Sequence, residues 1–577
     1  MSTSAFRRGL GAFYRRATLV FLSTFLLLTA AHAQKIENTP TIPQTVRPGA
    51  IEAQFEVEVA PGVTMAPSVV SPYQPEQPEG AAAIEFQLTE ITLDGAVTIP
   101  PTELRPLYAD RIGETVQLSE IFRIARAITK AYAEAGYPLS LAYVPIQEIA
   151  NGKVRIRIVE GYIGDVDVSD APPRLRARLQ RLAAKITAER PLTQRGLERY
   201  LLLANNIPGL SVTGVLERGA SPDTGVKMTL KVAQKRFSVA AGINNRASRA
   251  VGREQFNGRL NISNLITGAD NFRFLAVQSI NLDELTFFSA GYSTLLTTEG
   301  LVLDLAATRS QAAPGVPLLR NLGFESNGWT AGAALSYPLI LKRDTQLTLR
   351  GAFAWKEFQS AFGVTPNTRD TLWTSEFIAA AKFKDDWNGS NAVGLKLVRG
   401  WDIFNATAAG SPLASRAGAG GEFLALVADF NRTQKLADRL TLSFSTKAQV
   451  ANNPLLSSEQ CGYGGAGFGR GYDPFEIAGD RCITGLLELS AEPAFLQKGK
   501  FKALPFVSID AGAVRQNGSL AAGEARTATL YSLSVGARMN LTKHLSASTE
   551  VGVPLKGVVS QEGDDDPRFF FSVSARY

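Results

Sequence analysis

From Arg236 to the C-terminus, apolar residues alternate with small or polar ones. Phe237, Val239, Ala241 and Ile243 interleave with Arg236, Ser238, Ala240 and Gly242; similar runs begin near positions 255, 271, 284, 300, 329, 343, 370, 389, 421, 438, 482, 501, 527, 543 and 568. A period of two puts each set of side chains on its own face of a β-strand. Sixteen runs of about ten residues, separated by turn residues, predict a transmembrane β-barrel of 16 antiparallel strands, one face on lipid and the other on a polar lumen. A barrel of that size encloses a water-filled channel rather than a packed core. A soluble multi-sheet β protein is the competing reading; the even count and the last run argue against it. In that run, Arg568 to Tyr577, Phe569, Phe571, Val573, Ala575 and Tyr577 share one face, while Ser572, Ser574 and Arg576 share the other.

Upstream, helical spacing appears. Ile84 to Leu93 alternates as a strand and ends at the turn signal Asp94-Gly95. After a short helical piece near Thr102 to Tyr108, Ser119 is the expected cap of a helix carrying Ile121, Ile124, Ala125, Ile128, Ala131, Tyr132 and Ala135, which Gly136 ends. Strands follow at Leu141 to Val144 and Val154 to Val159, around Asn151-Gly152. The order recurs: a strand at Ile163 to Val168, helices at Leu175 to Ile186 and Thr193 to Asn205, strands at Leu210 to Leu216 and Val226 to Val232. Two successive α/β modules of one element order, 84–160 and 161–234, therefore precede the barrel at 235–577.

The first 33 residues carry Arg7, Arg8, Arg15 and Arg16 and no acid, then an apolar run from Thr18 to Ala31, then Ala31-His32-Ala33. That is the layout of a secretory signal cut after Ala33. Its run of about 14 apolar residues is short of the roughly 18 a spanning helix needs, and no other uninterrupted apolar run is long enough. Any membrane passage must then be made by strands. Residues 34–83 hold Pro40, Pro43, Pro48, Pro61, Pro67, Pro72, Pro75 and Pro78 and few large apolar side chains, which predicts an extended linker. Ile51 to Val59 is the stretch there apolar enough to order against something else.

Without the signal the chain has 56 Lys+Arg against 53 Asp+Glu, a net of +3, so the basic pI gives little support to nucleic-acid binding. His544 is then the only histidine left. A Ser-His-Asp or Cys-His nucleophile needs a histidine within reach, and a His-rich metal site needs several, so no catalytic residue, metal or cofactor is expected.

The Gly-rich stretch from Ser458 to Cys482 interrupts the strand pattern, and Arg470 stands alone in it among glycines and aromatics. Glycine permits close backbone approach, which suits a loop folded back into the protein; an ordinary surface loop is the alternative. Both cysteines, Cys461 and Cys482, lie within it. In an exported protein they are a plausible disulfide, stabilising by roughly 3 kcal/mol if closed; two free thiols or a redox pair are the other readings.

The stretches LTEITLDGAVTIPPTEL and AITKAYAEAGYPLSLAYVPIQEIANGKVRIRIVEG resemble the first polypeptide-transport-associated (POTRA) domain of the two-partner secretion transporters of the haemolysin secretion/activation type; residues 161–234 resemble the second. Asn244 to Gln255 is similar to that family's N-R-G-S-R…G-R-x-Q hairpin, departing at Ala247, where Gly is usual. Counting strands places Ser458 to Cys482 between the eleventh and twelfth, where the family has a long extracellular loop folded into the barrel with an Arg-Gly-Tyr or Arg-Gly-Phe tip. Arg470, Gly471 and Tyr472 match that tip, and Gly479-Asp480 matches the loop's exit.

The resemblance implies that Arg470 pairs with an acid on the thirteenth strand, here Asp510 in Phe506 to Gly512. Parity agrees: Val507, Ile509 and Ala511 make one face, leaving Ser508, Asp510 and Gly512 inward. Glu488 on the twelfth strand is a weaker partner, or simply a lumen-lining charge. Phe569, Phe571 and Tyr577 are implied to be the signal read by the barrel assembly machinery. Relatives often carry a helix plugging the barrel, but residues 34–60 have no clear helical stripe, so none is expected here. The implied function is secretion of a partner exoprotein, captured through the POTRA domains, across the outer membrane. Alternatives are an outer-membrane protein insertion factor of the same superfamily, a passive porin, and an outer-membrane hydrolase.

Overall fold

The computed structural model describes residues 44–55, 77–217, 225–499, 501–520 and 525–577. The expected signal peptide and most of the Pro-rich linker lie outside the described residues.

In the first module, Glu90–Asp94 runs parallel to Lys153–Val159, which is antiparallel to Leu141–Tyr143. Glu85–Gln87 pairs separately with Thr115–Gln117, so the single strand expected at Ile84 to Leu93 is broken in two. The break is at Leu88, which turns fully into the core. Helix α1, Leu118–Glu134, covers the sheet with Ile121, Ile124, Ala125, Ile128 and Tyr132. It begins one residue before Ser119, with Gln117 at the cap position and no side-chain cap, so Ser119 is a first-turn residue instead. Glu160 ties the module together: it accepts from the backbone of Val97 and Thr98, the Thr98 hydroxyl and Tyr132. Burial works to raise this carboxyl, but those hydrogen bonds hold it below its usual range.

The second module repeats the arrangement. Ile163–Asp167 is parallel to Val226–Gln234, which is antiparallel to Leu210–Glu217. Helices α2 (Pro173–Ala188) and α3 (Gln194–Asn205) bury Leu175, Leu179, Leu182, Ile186, Leu197 and Leu201, and Thr193 caps α3 by accepting from the Gly196 N–H at 3.0 Å. The same core takes in Ala269, Leu295 and Leu341 from barrel turns, so the module is seated on one end of the barrel.

The barrel strands, first to sixteenth, are Phe237–Asn244, Gln255–Ser263, Asp270–Ser279, Thr286–Leu295, Val302–Ala312, Phe324–Leu341, Thr345–Phe362, Thr365–Lys384, Ser390–Trp401, Phe423–Ala437, Leu440–Ala451, Arg481–Ala491, Phe501–Arg515, Thr527–Asn540, Leu545–Pro554 and Arg568–Arg576. Neighbours are antiparallel, and the sixteenth returns to the first, closing the barrel. Val239, Phe256, Leu305, Phe353, Phe377, Val507 and Ile509 are exposed outward, whereas Asp270, Asp304, Glu488, Asp510 and Glu550 are buried inward. Strands six and eight begin five residues before the alternation does, at Phe324 and Thr365. A bilayer needs only about 9–11 residues per strand, so in these strands of 18 and 20 residues the outer part meets no lipid and its apolar signal fades.

The lumen holds a helix that the sequence did not predict. Helix α4, Pro48–Phe55, lies against strands five to seven, with Val46 and Ile51 in a cluster with Val277, Phe287, Leu319 and Phe324. Glu52 accepts from Thr308 and Thr330, both at 2.6 Å, and the Phe55 ring is tilted against Phe287 with centroids 4.8 Å apart. The extended linker expected across 34–83 is thus interrupted. Pro48 to Ile51 are buried while Ala53 is exposed, and with Glu52 and Gln54 as their only polar side chains these eight residues lack the stripe that marks a surface helix.

Candidate functional site

The stretch Ser458 to Cys482 leaves strand eleven and returns at strand twelve. Cys461–Tyr463 and Ile477–Gly479 pair as a short hairpin, and Cys461 is disulfide-bonded to Cys482 at its base. The hairpin turns inward and seats its tip on strands twelve to fifteen. A methyl group on Gly512 would lie 2.2 Å from the Tyr463 ring, and one on Gly552 2.5 Å from the Arg470 carbonyl. Glycine at these wall positions is what lets the tip approach so closely.

The tip is held by two carboxylates in different ways. Asp510, fully buried, accepts from the N–H groups of Gly469 (3.0 Å) and Arg470 (3.3 Å), from Ser532 (2.7 Å) and from the Tyr463 hydroxyl. The Arg470 guanidinium instead reaches Glu488, donating through Nη1 at 2.7 Å, and Ser508 at 3.2 Å. The expected Arg470–Asp510 side-chain pair is therefore replaced by an Arg470–Glu488 pair, with Asp510 binding the tip's backbone. The register explains it: Glu488 stands opposite Ser508, and Asp510 opposite Leu486, so the two acids are one pleat apart along the wall. The tip backbone rests at Asp510, and the long arginine spans the remaining step.

Arg538 also grips Glu488, with two hydrogen bonds of 2.7 Å, and both guanidiniums lie over Phe506, at 4.2 Å for Arg538 and 5.4 Å for Arg470. On the other side Arg470 Nε is 4.0 Å from Glu550, which Arg246 contacts from the first loop. Charge is thus balanced across the wall, three arginines facing Glu488, Asp510 and Glu550. Gly471 donates to Ser532, and the Tyr472 hydroxyl donates to the Lys556 carbonyl at 2.8 Å and lies 3.0 Å from that of Tyr531. Asp473 meets Arg568 of the last strand. At the exit Asp480, fully buried, is held by Arg416 and the N–H groups of Leu455 and Asn517. Ala247 is buried in the first loop with ordinary backbone, so no glycine is needed there.

Glu476 faces Ser560 of the last loop and accepts from its N–H at 2.7 Å. Burial pushes this carboxyl up to about 7; the Ser560 bonds oppose the shift and Asp473 adds to it. Helix α4 also touches the loop: a Cβ on Gly49 would be 2.3 Å from the Ser458 Cα, and Arg47 donates to Ser457. Two insertions therefore occupy the lumen and bear on one another.

At the end of the chain Phe569 and Tyr577 face outward at 59% and 83% exposure, with Phe571 half-buried. Sequence reasoning passed over Arg538, Ser532, Tyr463 and Glu550. The parity that turns Asp510 inward also turns Ser532, Ser534, Gly536 and Arg538 inward, because Leu533 and Val535 face out. No comparable signal marks Tyr463 or the Glu52 contacts, which depend on how the insertions lie.

Compared with known proteins, residues 86–161 match the family model of the POTRA domain, ShlB-type, and residues 223–539 that of the haemolysin secretion/activation protein ShlB/FhaC/HecB. Over 308 residues the chain is 24% identical to the heme/hemopexin transporter protein HuxB of Haemophilus influenzae, covering 52% of this chain and 53% of HuxB. Over 213 residues it is 23% identical to the outer membrane transporter CdiB of Dickeya dadantii, covering 37% of this chain and 35% of CdiB. The chain spans about half the length of the first relative and about a third of the second. The structure of CdiB from Escherichia coli superposes with a TM-score of 0.69 at 20% identity, over 88% of this chain and 94% of that one, and so shares its fold.

Proposed function

Because the chain belongs to the haemolysin secretion/activation family of outer-membrane barrels, we propose that it secretes a partner exoprotein across the outer membrane by two-partner secretion. The observation that carries this is a closed sixteen-stranded barrel whose inside holds two tethered insertions, the Arg470 loop and helix α4, and on whose end the second of two POTRA modules is seated. A passive pore has no use for polypeptide-binding modules at its mouth. The modules take an extended segment of the exoprotein in the periplasm by adding it to a free sheet edge. The insertions then shift, the segment passes through the lumen, and folding outside supplies direction.

In this scheme Arg470, Gly471 and Tyr472 form a latch, Glu488 and Asp510 are its two catches, and the Cys461–Cys482 disulfide confines its base. Phe569, Phe571 and Tyr577 serve earlier, as the strand that the assembly machinery reads. The work is transport, with no chemical step.

The test compares cells carrying the wild type, Arg470→Ala and a deletion, by mass spectrometry of the medium and cell surface. Loss of one large exported protein in both altered strains, with the Arg470→Ala barrel assembled and other outer-membrane proteins at normal levels, supports secretion. A general fall in outer-membrane proteins without loss of a single cargo replaces it with barrel insertion.

A further inference from the structure

Tryptophan is unevenly distributed on the barrel. Four of the five, Trp329, Trp355, Trp373 and Trp401, lie on strands six to nine, and register places Trp355, Trp373 and Trp401 side by side across three of them. All four share the outward parity of Phe353 and Phe377. The same level ends the apolar surface. Along strand seven the outward positions run Leu349, Gly351, Phe353, Trp355 and then Glu357 and Gln359; along strand six, Leu335, Ala333, Ala331, Trp329 and then Asn327 and Glu325. A switch from apolar through tryptophan to charge marks the water boundary of a membrane, here on the side away from the POTRA modules.

Arginines stand on these rings. Arg309, directly opposite Trp329 on strand five, lies over that ring at 4.8 Å, and Arg399 lies over Trp401 at 5.4 Å. Arg399 is paired with Glu422 at 2.7 Å, and the nearby Arg369 with Glu357 at 2.9 Å. Arg309 is exposed and forms no salt bridge among the described residues. From the next loop Phe404 folds over Trp373 at 5.1 Å, although 71% exposed, and reaches it through two successive left-handed residues, Phe404 at φ 49° and Asn405 at φ 63°. That backbone is unfavourable for Phe404, though Asn405 tolerates it, and the ring it delivers widens an apolar shelf that is already exposed. Buried atom Trp373 Nε1 has no hydrogen-bond partner among the described residues.

We propose that this face of strands five to nine binds a phosphorylated glycolipid of the outer leaflet. Its acyl chains lie along the alanine and phenylalanine rows below the tryptophans, and a headgroup phosphate meets Arg309, the one guanidinium there without a carboxylate. The ring beneath holds that guanidinium in place, and the indole row supplies flat surface for sugar rings. Arg369 and Arg399 are matched by Glu357 and Glu422, and Glu325 lies four residues beyond Trp329, so the attraction for an anionic head comes locally from Arg309. The proposal needs only the barrel and its membrane, not the secretion reading.

The test is titration of the purified full chain in detergent with bis-phosphorylated lipid A, its dephosphorylated form, and phosphatidylglycerol, read by intrinsic tryptophan emission. Saturable change with the bis-phosphorylated lipid, weakened about tenfold by removing the phosphates or by Arg309→Gln, is expected. Arg309→Gln is a surface change, so its barrel assembles; Arg399→Gln serves as a second variant and should weaken binding less. Equal binding of phosphatidylglycerol, or affinity unchanged in Arg309→Gln, overturns the proposal.

Discussion

Replacing Glu488 with glutamine separates the two catches of the loop tip. Glu488 binds Arg470 at 2.7 Å and Arg538 through two bonds of the same length. The Arg538 pair lies between two wall strands and persists whether or not the loop is docked, so its loss cancels from the docking equilibrium. What remains is Arg470, 9% exposed at the side chain, left with Ser508 and a glutamate 4.0 Å away. Removing one partner of a buried pair costs about 3–5 kcal/mol, and the remaining Ser508 and Glu550 contacts reduce this to about 2 kcal/mol. Amide exchange through local opening scales with the opening equilibrium, so amides over 463–477 should exchange roughly 30-fold faster in Glu488→Gln. Arg470→Ala should have a similar effect, and the double variant should add little to either. Less than a threefold change in Glu488→Gln, together with a large one in Asp510→Asn, would refute the assignment and return the arginine's hold to Asp510.

Three further outcomes follow from contacts elsewhere in the lumen. Gly49→Leu drives a side chain into Ser458 and should unseat helix α4, raising the conductance of the purified barrel in planar bilayers; unchanged conductance means the helix does not obstruct the pore. Removing both cysteines frees a loop with a sequence separation of 21 and should cost about 3 kcal/mol, seen as a lower temperature for loss of the compact band in heat-modifiability gels. Glu476 has its folded pKa raised from 4.5 to about 7, so its contribution to docking is complete below 4.5 and lost as pH rises through 7. Exchange over 473–479, corrected for intrinsic rates, should therefore speed up between pH 5 and 8 in the wild type and stay flat in Glu476→Gln.

Much of this architecture could be read from residue order. Alternation locates the starts of all sixteen strands, within five residues at worst, because outward side chains meet lipid and inward ones meet water over the bilayer's width. The same parity puts Asp510 and Glu488 on the inner wall. It does not say which of them receives Arg470, since that depends on where the tip backbone rests, and the positions of Gly512 and Gly552 decide that only in three dimensions. Helix α4 was hidden for a related reason. Gly49 is a poor helix former, and eight residues with Glu52 and Gln54 as their only polar side chains are too few to show a periodic stripe. Ser119 looked like a cap because its residue type favours that position, but the helix starts at Leu118, straight out of the strand Thr115–Gln117.

Passage of a polypeptide through the lumen can be caught directly with a photo-reactive residue in place of Asn257, which lines an inner cavity beside Phe55, or of its outward neighbour Phe256. Irradiation of secreting cells should yield an adduct with one large exported protein from position 257 and none from position 256. Secretion of that protein at normal rates with no adduct at 257, or equal adducts at both positions, would contradict transport through this barrel.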